Sequence, residues 1–231
     1  MILRQLFDAE SSTYTYLIAD PVTREAALVD PVREQVERDL KLLSELGLRL
    51  VYVLETHVHA DHVTAAAILR DRTGAKTVAS GKGAPCVDVR VEDGEKVRVG
   101  NVVLTALATP GHTDDGVSWL VDGGWVLTGD TLLIRGCGRT DFQNGDAGQL
   151  WDSITKVLFA LPDETVVLPG HDYKGLTQST IGEEKKHNPR VAGRTREEFV
   201  ALMGDLGLPP PKKLDVAVPA NRACGRVETS A

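Results

Sequence analysis

The chain has 231 residues, with 26 Lys plus Arg against 33 Asp plus Glu and a formal net charge of −7. That length can bury two packed sheets in one domain, and the acidic balance offers no overall positive field for a polyanion, so nucleic acid is not an expected partner. No apolar run approaches bilayer length and no signal-like segment opens the chain, so no membrane partner is expected and a cytoplasmic location is the expectation. Cys86, Cys137 and Cys224 are odd in number and lack a C-x-x-C pair, which fits a reducing compartment without a disulfide framework.

In chain order, β-rich runs at 14–18 and 26–29 precede a helix at 32–46, whose Val36, Leu40, Leu43 and Leu46 recur at three- and four-residue steps. A strand follows at 50–54. A second helix is expected from soon after Asp61 to Gly74, then strands at 77–79, 102–108, 117–121 and 125–127, a helix at 147–161 and a strand at 165–168. The remainder predicts helices at 180–187 and 195–206, after which Pro209, Pro210 and Pro211 begin an extended ending. This order suggests two sheets packed face to face with helices outside, in a single α/β domain spanning 1–231.

Chemically useful groups gather where strands end. His57, His59, Asp61 and His62 follow the strand at 50–54; His112 follows 102–108 through Pro110-Gly111; Asp130 follows 125–127; His171 follows 165–168 through Pro169-Gly170. Imidazole and carboxylate suit iron, zinc and manganese, and a turn leaving a strand can aim several ligands at one point. A lone histidine after a strand is usually a satisfied polar residue, as is expected of His187. Five of the chain's 6 histidines at strand ends beside Gly or Asp point instead to a metal.

The set His57-x-His59-x-Asp61-His62, His112, Asp130 and His171 resembles the signature of the metallo-β-lactamase superfamily, which implies a four-layered αβ/βα sandwich with the metal at one edge. The segments from Gly129 to Gln143, Gly170-His171-Asp172-Tyr173, Asn188-Pro189-Arg190 and Ala217-Val218-Pro219-Ala220-Asn221 are further similar to the persulfide dioxygenases. That resemblance implies one Fe(II) per chain held by His57, His112 and Asp130, which would also be the catalytic centre. His59, Asp61, His62 and His171 would be supporting groups or a second metal site. It implies oxidation of glutathione persulfide by dioxygen and water to glutathione and sulfite, a homodimer, and a family-specific extension from about residue 175. Three protein ligands on one face of an octahedron leave room for both dioxygen and a substrate sulfur.

Glutathione carries two carboxylates and one ammonium, so Arg139, Tyr173, Lys174 and Arg190, just beyond ligand-bearing strand ends, are candidate binding residues. Glycines 136 and 138 around Arg139 would let backbone approach a ligand closely, and glyoxalase II has a similar glycine-cysteine-glycine-basic segment used for glutathione. Cys137 invites a role as a persulfide carrier, although it lacks the loop of rhodanese-like sulfurtransferases and a small buried thiol is an equal alternative. Trp119, Trp125 and Trp151 read as core. The competing readings are a dinuclear glutathione thioester hydrolase of the glyoxalase II type and, from another class, a non-catalytic metal-binding module. Against the hydrolase, only the residues after His171 remain for a helical substrate domain.

Overall fold

The computed structural model describes residues 1–210 and 213–226. One sheet has six strands in the order β1 (Ile2–Asp8), β2 (Thr13–Ala19), β3 (Glu25–Val29), β4 (Arg49–Leu54), β5 (Lys76–Ser80) and β6 (Val89–Val91). The second also has six, with β12 (Ser179–Thr180), β11 (Val166–Pro169), β10 (Trp125–Gly129), β9 (Val117–Val121), β8 (Val102–Ala108) and β7 (Lys96–Val99) side by side.

Period-two alternation builds the layers. In β2, Tyr14, Tyr16 and Ile18 enter the core between the sheets, where they join Leu104, Ala106, Trp119 and Leu127 from the second sheet. Leu17 and Ala19, pointing the other way, pack with Val36 and Leu43 of α1 (Val36–Glu45) and Ala66 and Leu69 of α2 (Ala66–Thr73). On the outer face of the second sheet, Val126 and Val167 meet Leu150 of α3 (Ala147–Asp152), Ile181 of α4 (Ile181–His187), and Phe199 and Met203 of α5 (Arg196–Gly204). The result is the expected αβ/βα sandwich.

Trp119 shows how this core positions the site. Its ring is fully buried between the sheets, and its indole N–H donates to the Glu55 carbonyl at 3.3 Å, fixing the residue that opens the histidine-rich loop. Truncating such a side chain to Ala costs roughly 3–5 kcal/mol. The three tryptophans do not share one fate, since Trp125 and Trp151 are only partly buried against the clusters they join.

Several elements differ from expectation. Strands β1, β6, β7 and β12 lack a strong apolar run, and pairing with neighbours makes them strands. Helix α2 starts at Ala66 rather than soon after Asp61, because Thr64 pairs with Val32 and residues 61–65 are held by contacts described below. The helix at 147–161 is α3 followed by a π turn at Ser153–Val157 and a 3-10 turn at Leu158–Ala160. The extended ending is corrected: α6 (Leu214–Arg222) folds back so that Ala217 and Ala220 cover Val63. Cys86 and Cys224, 138 residues apart, are joined in a disulfide, which overturns the expectation of three free thiols; Cys137 alone is free. Sequence distance concealed the pair because only the return of α6 to the first sheet brings them together.

Candidate metal centre

The site lies along one edge of the sandwich, where strands of both sheets end. Leu54 ends β4, Ala108 ends β8, Gly129 ends β10 and Pro169 ends β11, and the next turns carry His57, His112, Asp130 and His171. Main-chain bonds join the sheets there: Tyr14 N–H donates to Gly170 O at 2.8 Å and Val117 N–H to Thr56 O at 2.8 Å. Close approach needs glycine at two positions. A Cβ on Gly138 would lie 2.6 Å from both Asp130 O and His112 Nδ1, and one on Gly170 2.9 Å from Asp130 Oδ1.

His57, His112 and Asp130 each offer a ligand atom, all within 4.8 Å of one another. Hydrogen bonding sets which atoms are available. Thr56 Oγ1 donates to Asp30 Oδ2 at 2.8 Å and so accepts from His57 Nδ1 at 2.9 Å, leaving the Nε2 lone pair free. The Arg139 carbonyl can only accept, so His112 Nδ1, 2.6 Å away, carries its proton and its Nε2 is likewise free. That Nε2 faces Asp130 Oδ2 at 3.6 Å, while Asp130 Oδ1 accepts from His171 Nδ1 at 2.7 Å. Two imidazole Nε2 atoms, each with its Nδ1 engaged elsewhere, thus converge with one carboxylate oxygen, a donor set that fits a divalent first-row metal.

His59, Asp61, His62 and His171 lie beside this trio but bond largely to one another. Asp61 Oδ2 meets His171 Nε2 at 2.9 Å and His62 Nδ1 at 2.9 Å, and Thr13 Oγ1 lies 3.1 Å from both Asp61 Oδ2 and His171 Nε2. Both ring nitrogens of His171 therefore face carboxylates. His59 Nε2 lies 3.1 Å from Asp30 Oδ1 and 3.5 Å from Glu55 Oε2, neither with hydrogen-bond geometry. Two further groups could hold a metal by proximity alone, His59 with Asp61 and His62, and Asp30 with Glu55 and His59.

Electrostatics divide the histidines. Burial pushes the His57 ring well below the usual histidine range, and neighbouring His59 and His112 add to this, so it stays a neutral ligand. Burial opposes charge on His171 too, but the carboxylates of Asp130 and Asp61 overcome it and hold the ring well above that range. For Asp130, burial would raise the carboxyl, yet the charge and hydrogen bond of His171 keep it well below the ordinary carboxylate value.

The proposed substrate residues fare differently. Arg139 is no free fork: Nε and Nη2 grip Asp141 at 2.6 and 2.7 Å, Nη1 donates to Pro209 O at 2.6 Å, and the guanidinium covers the Phe142 ring. Its side chain fastens the 208–209 segment, and its carbonyl is what reaches the site. Cys137 is 6 % exposed against Met203, and burial pushes its thiol up to about 12, which fits the buried-thiol alternative better than a persulfide carrier. Tyr173 is 72 % exposed and stacks parallel to the His171 ring, Lys174 is exposed beside it, and the half-buried Arg190 has Nη1 3.3 Å from Met203 Sδ. His187 is exposed, as expected of a residue without a ligand role.

Other residues that hold the loop were not read as site residues from sequence, although Gln143 and Asn221 lie in segments that carry the family resemblance. Asp30 accepts from Thr56 N–H at 2.7 Å; Asp115 accepts from Val58 N–H at 2.9 Å; Gln143 donates to Val58 O at 2.7 Å. Asn221 Nδ2 donates to His59 O at 2.9 Å and His62 O at 2.8 Å, while its Oδ1 accepts from Thr64 N–H at 2.8 Å. Asp30 carried the signal used for the ligands, an acid one residue past a strand end. For Asn221, nothing in the local pattern of the Ala217–Asn221 segment gives it a partner in the loop.

The family described as the metallo-β-lactamase superfamily matches residues 9–85 and 83–171. The chain is 47 % identical over 227 residues to the mitochondrial persulfide dioxygenase ETHE1 of Homo sapiens, covering 97 % of this chain and 89 % of that protein. The crystal structure of ETHE1 from Myxococcus xanthus superposes with a TM-score of 0.97 at 64 % identity, covering 98 % of this chain and 100 % of that one. A hydroxyacylglutathione hydrolase of Methylobacterium nodulans is 39 % identical over 171 residues, covering 72 % of this chain and 65 % of that protein. The chain belongs to the metallo-β-lactamase superfamily and, within it, to the persulfide dioxygenase family.

Proposed function

We propose that the protein oxidises glutathione persulfide with dioxygen and water to glutathione and sulfite, using one ferrous ion held by His57, His112 and Asp130. The observation that supports a mononuclear site is the engagement of His171: its two nitrogens bond Asp130 Oδ1 at 2.7 Å and Asp61 Oδ2 at 2.9 Å, so it serves these carboxylates rather than standing open as a ligand. Ferrous iron, when bound, supplies open positions and an electron for dioxygen, which redox-inert zinc does not.

The chain's own groups set the stage. Thr56 and the Arg139 carbonyl lock the tautomers of the two ligand histidines. His171 bonds Asp130 Oδ1 and leaves Oδ2 facing His112. Lys174 and Arg190 meet the glutathione carboxylates, and Tyr173 supplies a flat face and a hydroxyl at the rim. Arg139 acts through its carbonyl alone.

A dinuclear thioester hydrolase is the second reading, and one observation favours it: His62 Nε2 and both His59 nitrogens are buried without hydrogen-bond partners, as ligands awaiting a metal would be. Against it stands the more extensive match to a persulfide dioxygenase, 97 % of the chain against 72 %. The test is oxygen uptake with glutathione persulfide by anaerobically iron-loaded protein, alongside His112→Ala and a metal count. Uptake at one iron per chain, abolished in the variant, is the expected result. Thiol release from S-lactoylglutathione without oxygen uptake, at two metals per chain, would establish the hydrolase.

A further inference from the structure

We propose that Asn221 and the Cys86–Cys224 disulfide form a redox-sensitive brace on the back of the histidine loop, so that reduction by a small thiol loosens residues 57–65 and speeds loss of the metal. The idea rests on residues 57–62 being the metal loop and not on which metal or reaction the site serves.

The loop from Glu55 to Ala65 has no helix or strand of its own, so its buried main-chain groups depend on outside partners. Asn221, 3 % exposed, satisfies three of them through the two donors and one acceptor of a single amide. Few side chains can do this, because the contacts need both signs of hydrogen bond from one planar group. Asn221 sits near the end of α6, whose buried apolar contact with the body is small, Ala217 and Ala220 on Val63. Past it, the chain is fastened more firmly: Cys224 is bonded to Cys86, Cys224 O accepts from Ala67 N–H at 2.8 Å, and Arg33 Nη1 donates to Gly225 O at 3.0 Å.

Behind the loop, packing is incomplete. A small cavity there is lined by Glu55, His59, Ala84, Val87, Asn221 and Cys224, so the disulfide forms part of its far wall. Glu55 Oε2 and both His59 nitrogens are buried without hydrogen-bond partners beside it. On this side the loop's main chain is held by Asn221 and by Asp115, which also lines the cavity, and Asn221 alone carries three of those bonds.

The two sulfurs differ in access. Cys86 is partly exposed and Cys224 is 2 % exposed, so an incoming thiolate attacks the Cys86 sulfur and Cys224 leaves as the thiolate and takes up a proton. A second thiol then attacks the mixed disulfide, Cys86 leaves as a thiol, and the two reductant molecules are joined as their disulfide. Two electrons and two protons pass to the protein. Glutathione, a product in the proposed reaction, belongs to this reductant class.

Amide hydrogen exchange on the metal-free protein tests the brace, comparing the disulfide form, the form reduced with dithiothreitol, Cys86→Ser and Asn221→Ala. Exchange at 57–65 should rise at least tenfold in the last three, with β8 and β9 unchanged, and metal loss to a chelator should quicken to match. Cys86→Ser should not respond to reductant. Should Asn221→Ala not fold, Asn221→Asp, which keeps the acceptor and loses both donors, carries the same expectation. Unchanged exchange at 57–65 on reduction, an equal rise in β8 and β9, or a protected loop in the Asn221 variant would each overturn the proposal.

Discussion

Thr56→Val tests the claim that a hydroxyl selects the His57 lone pair. Thr56 Oγ1 accepts from His57 Nδ1 at 2.9 Å and donates to buried Asp30 Oδ2 at 2.8 Å, and valine keeps the shape while removing both. Losing a hydrogen bond to a buried carboxylate and stranding an imidazole N–H should together destabilise the metal-free fold by roughly 2–4 kcal/mol. Without its acceptor, Nδ1 no longer has to carry the proton, and the tautomer with a free Nε2 loses its preference. Support of this kind is worth about 10- to 100-fold in metal affinity, or ~1.4–2.7 kcal/mol. Competition against a chelator measures the affinity, and urea denaturation of the metal-free protein measures the fold. Thr56→Ser, which keeps the hydroxyl, should restore most of both. If Thr56→Val retains metal within twofold of the parent, the tautomer argument fails.

Three other substitutions probe the scaffold at and away from the site. Gly138→Ala places a Cβ 2.6 Å from Asp130 O and His112 Nδ1, so it should cost about 1–3 kcal/mol by overpacking and weaken metal binding; unchanged values in both assays would refute the close-approach role. Glu184 is fully buried and accepts from Arg135, Ser179 and Asn188, so Glu184→Ala, which strips those donors of their acceptor and leaves Arg135 paired with Glu183 alone, should lower stability in urea by roughly 2–4 kcal/mol. A loss below about 1 kcal/mol would refute the role of Glu184 as the buried acceptor of this cluster. Asp20, far from the metal, joins turns of the two sheets, and the Asn101 and Val22 N–H groups lower its carboxyl to about 2. A lowered value stabilises the fold above the ordinary carboxylate range and is lost as pH falls toward about 2. Asp20→Asn should therefore flatten the stability profile between pH ~4 and ~2, and an unaltered profile would refute the assignment.

Where the chain's local pattern and its tertiary setting agree, the sequence alone was sufficient. Strand β8 alternates Val102, Leu104 and Ala106 inward with partly buried residues between them, and period two announces such a strand without knowledge of its neighbours. The ligands stood out for a similar reason: a histidine or aspartate just past a strand end is placed by the strand itself. β7 and β12 could not be seen this way, since their character as strands comes from the neighbours they pair with.

Partner choice among polar groups was the part that only the folded chain decided. Arg139 reads as a free fork until Asp141 and the carbonyls of Leu208 and Pro209 are found to occupy it. Cys86 and Cys224 read as separate thiols until α6 returns across the first sheet and joins them. The metal loop shows both sides. Its histidines and aspartate are legible as ligands because their chemistry is intrinsic, whereas their division into His57 facing the open edge and Asp61 and His62 bonded among themselves depends on Thr56, Asp30, Thr13 and His171. Ligand identity is a property of residues, and ligand orientation is a property of the hydrogen bonds that a complete fold supplies.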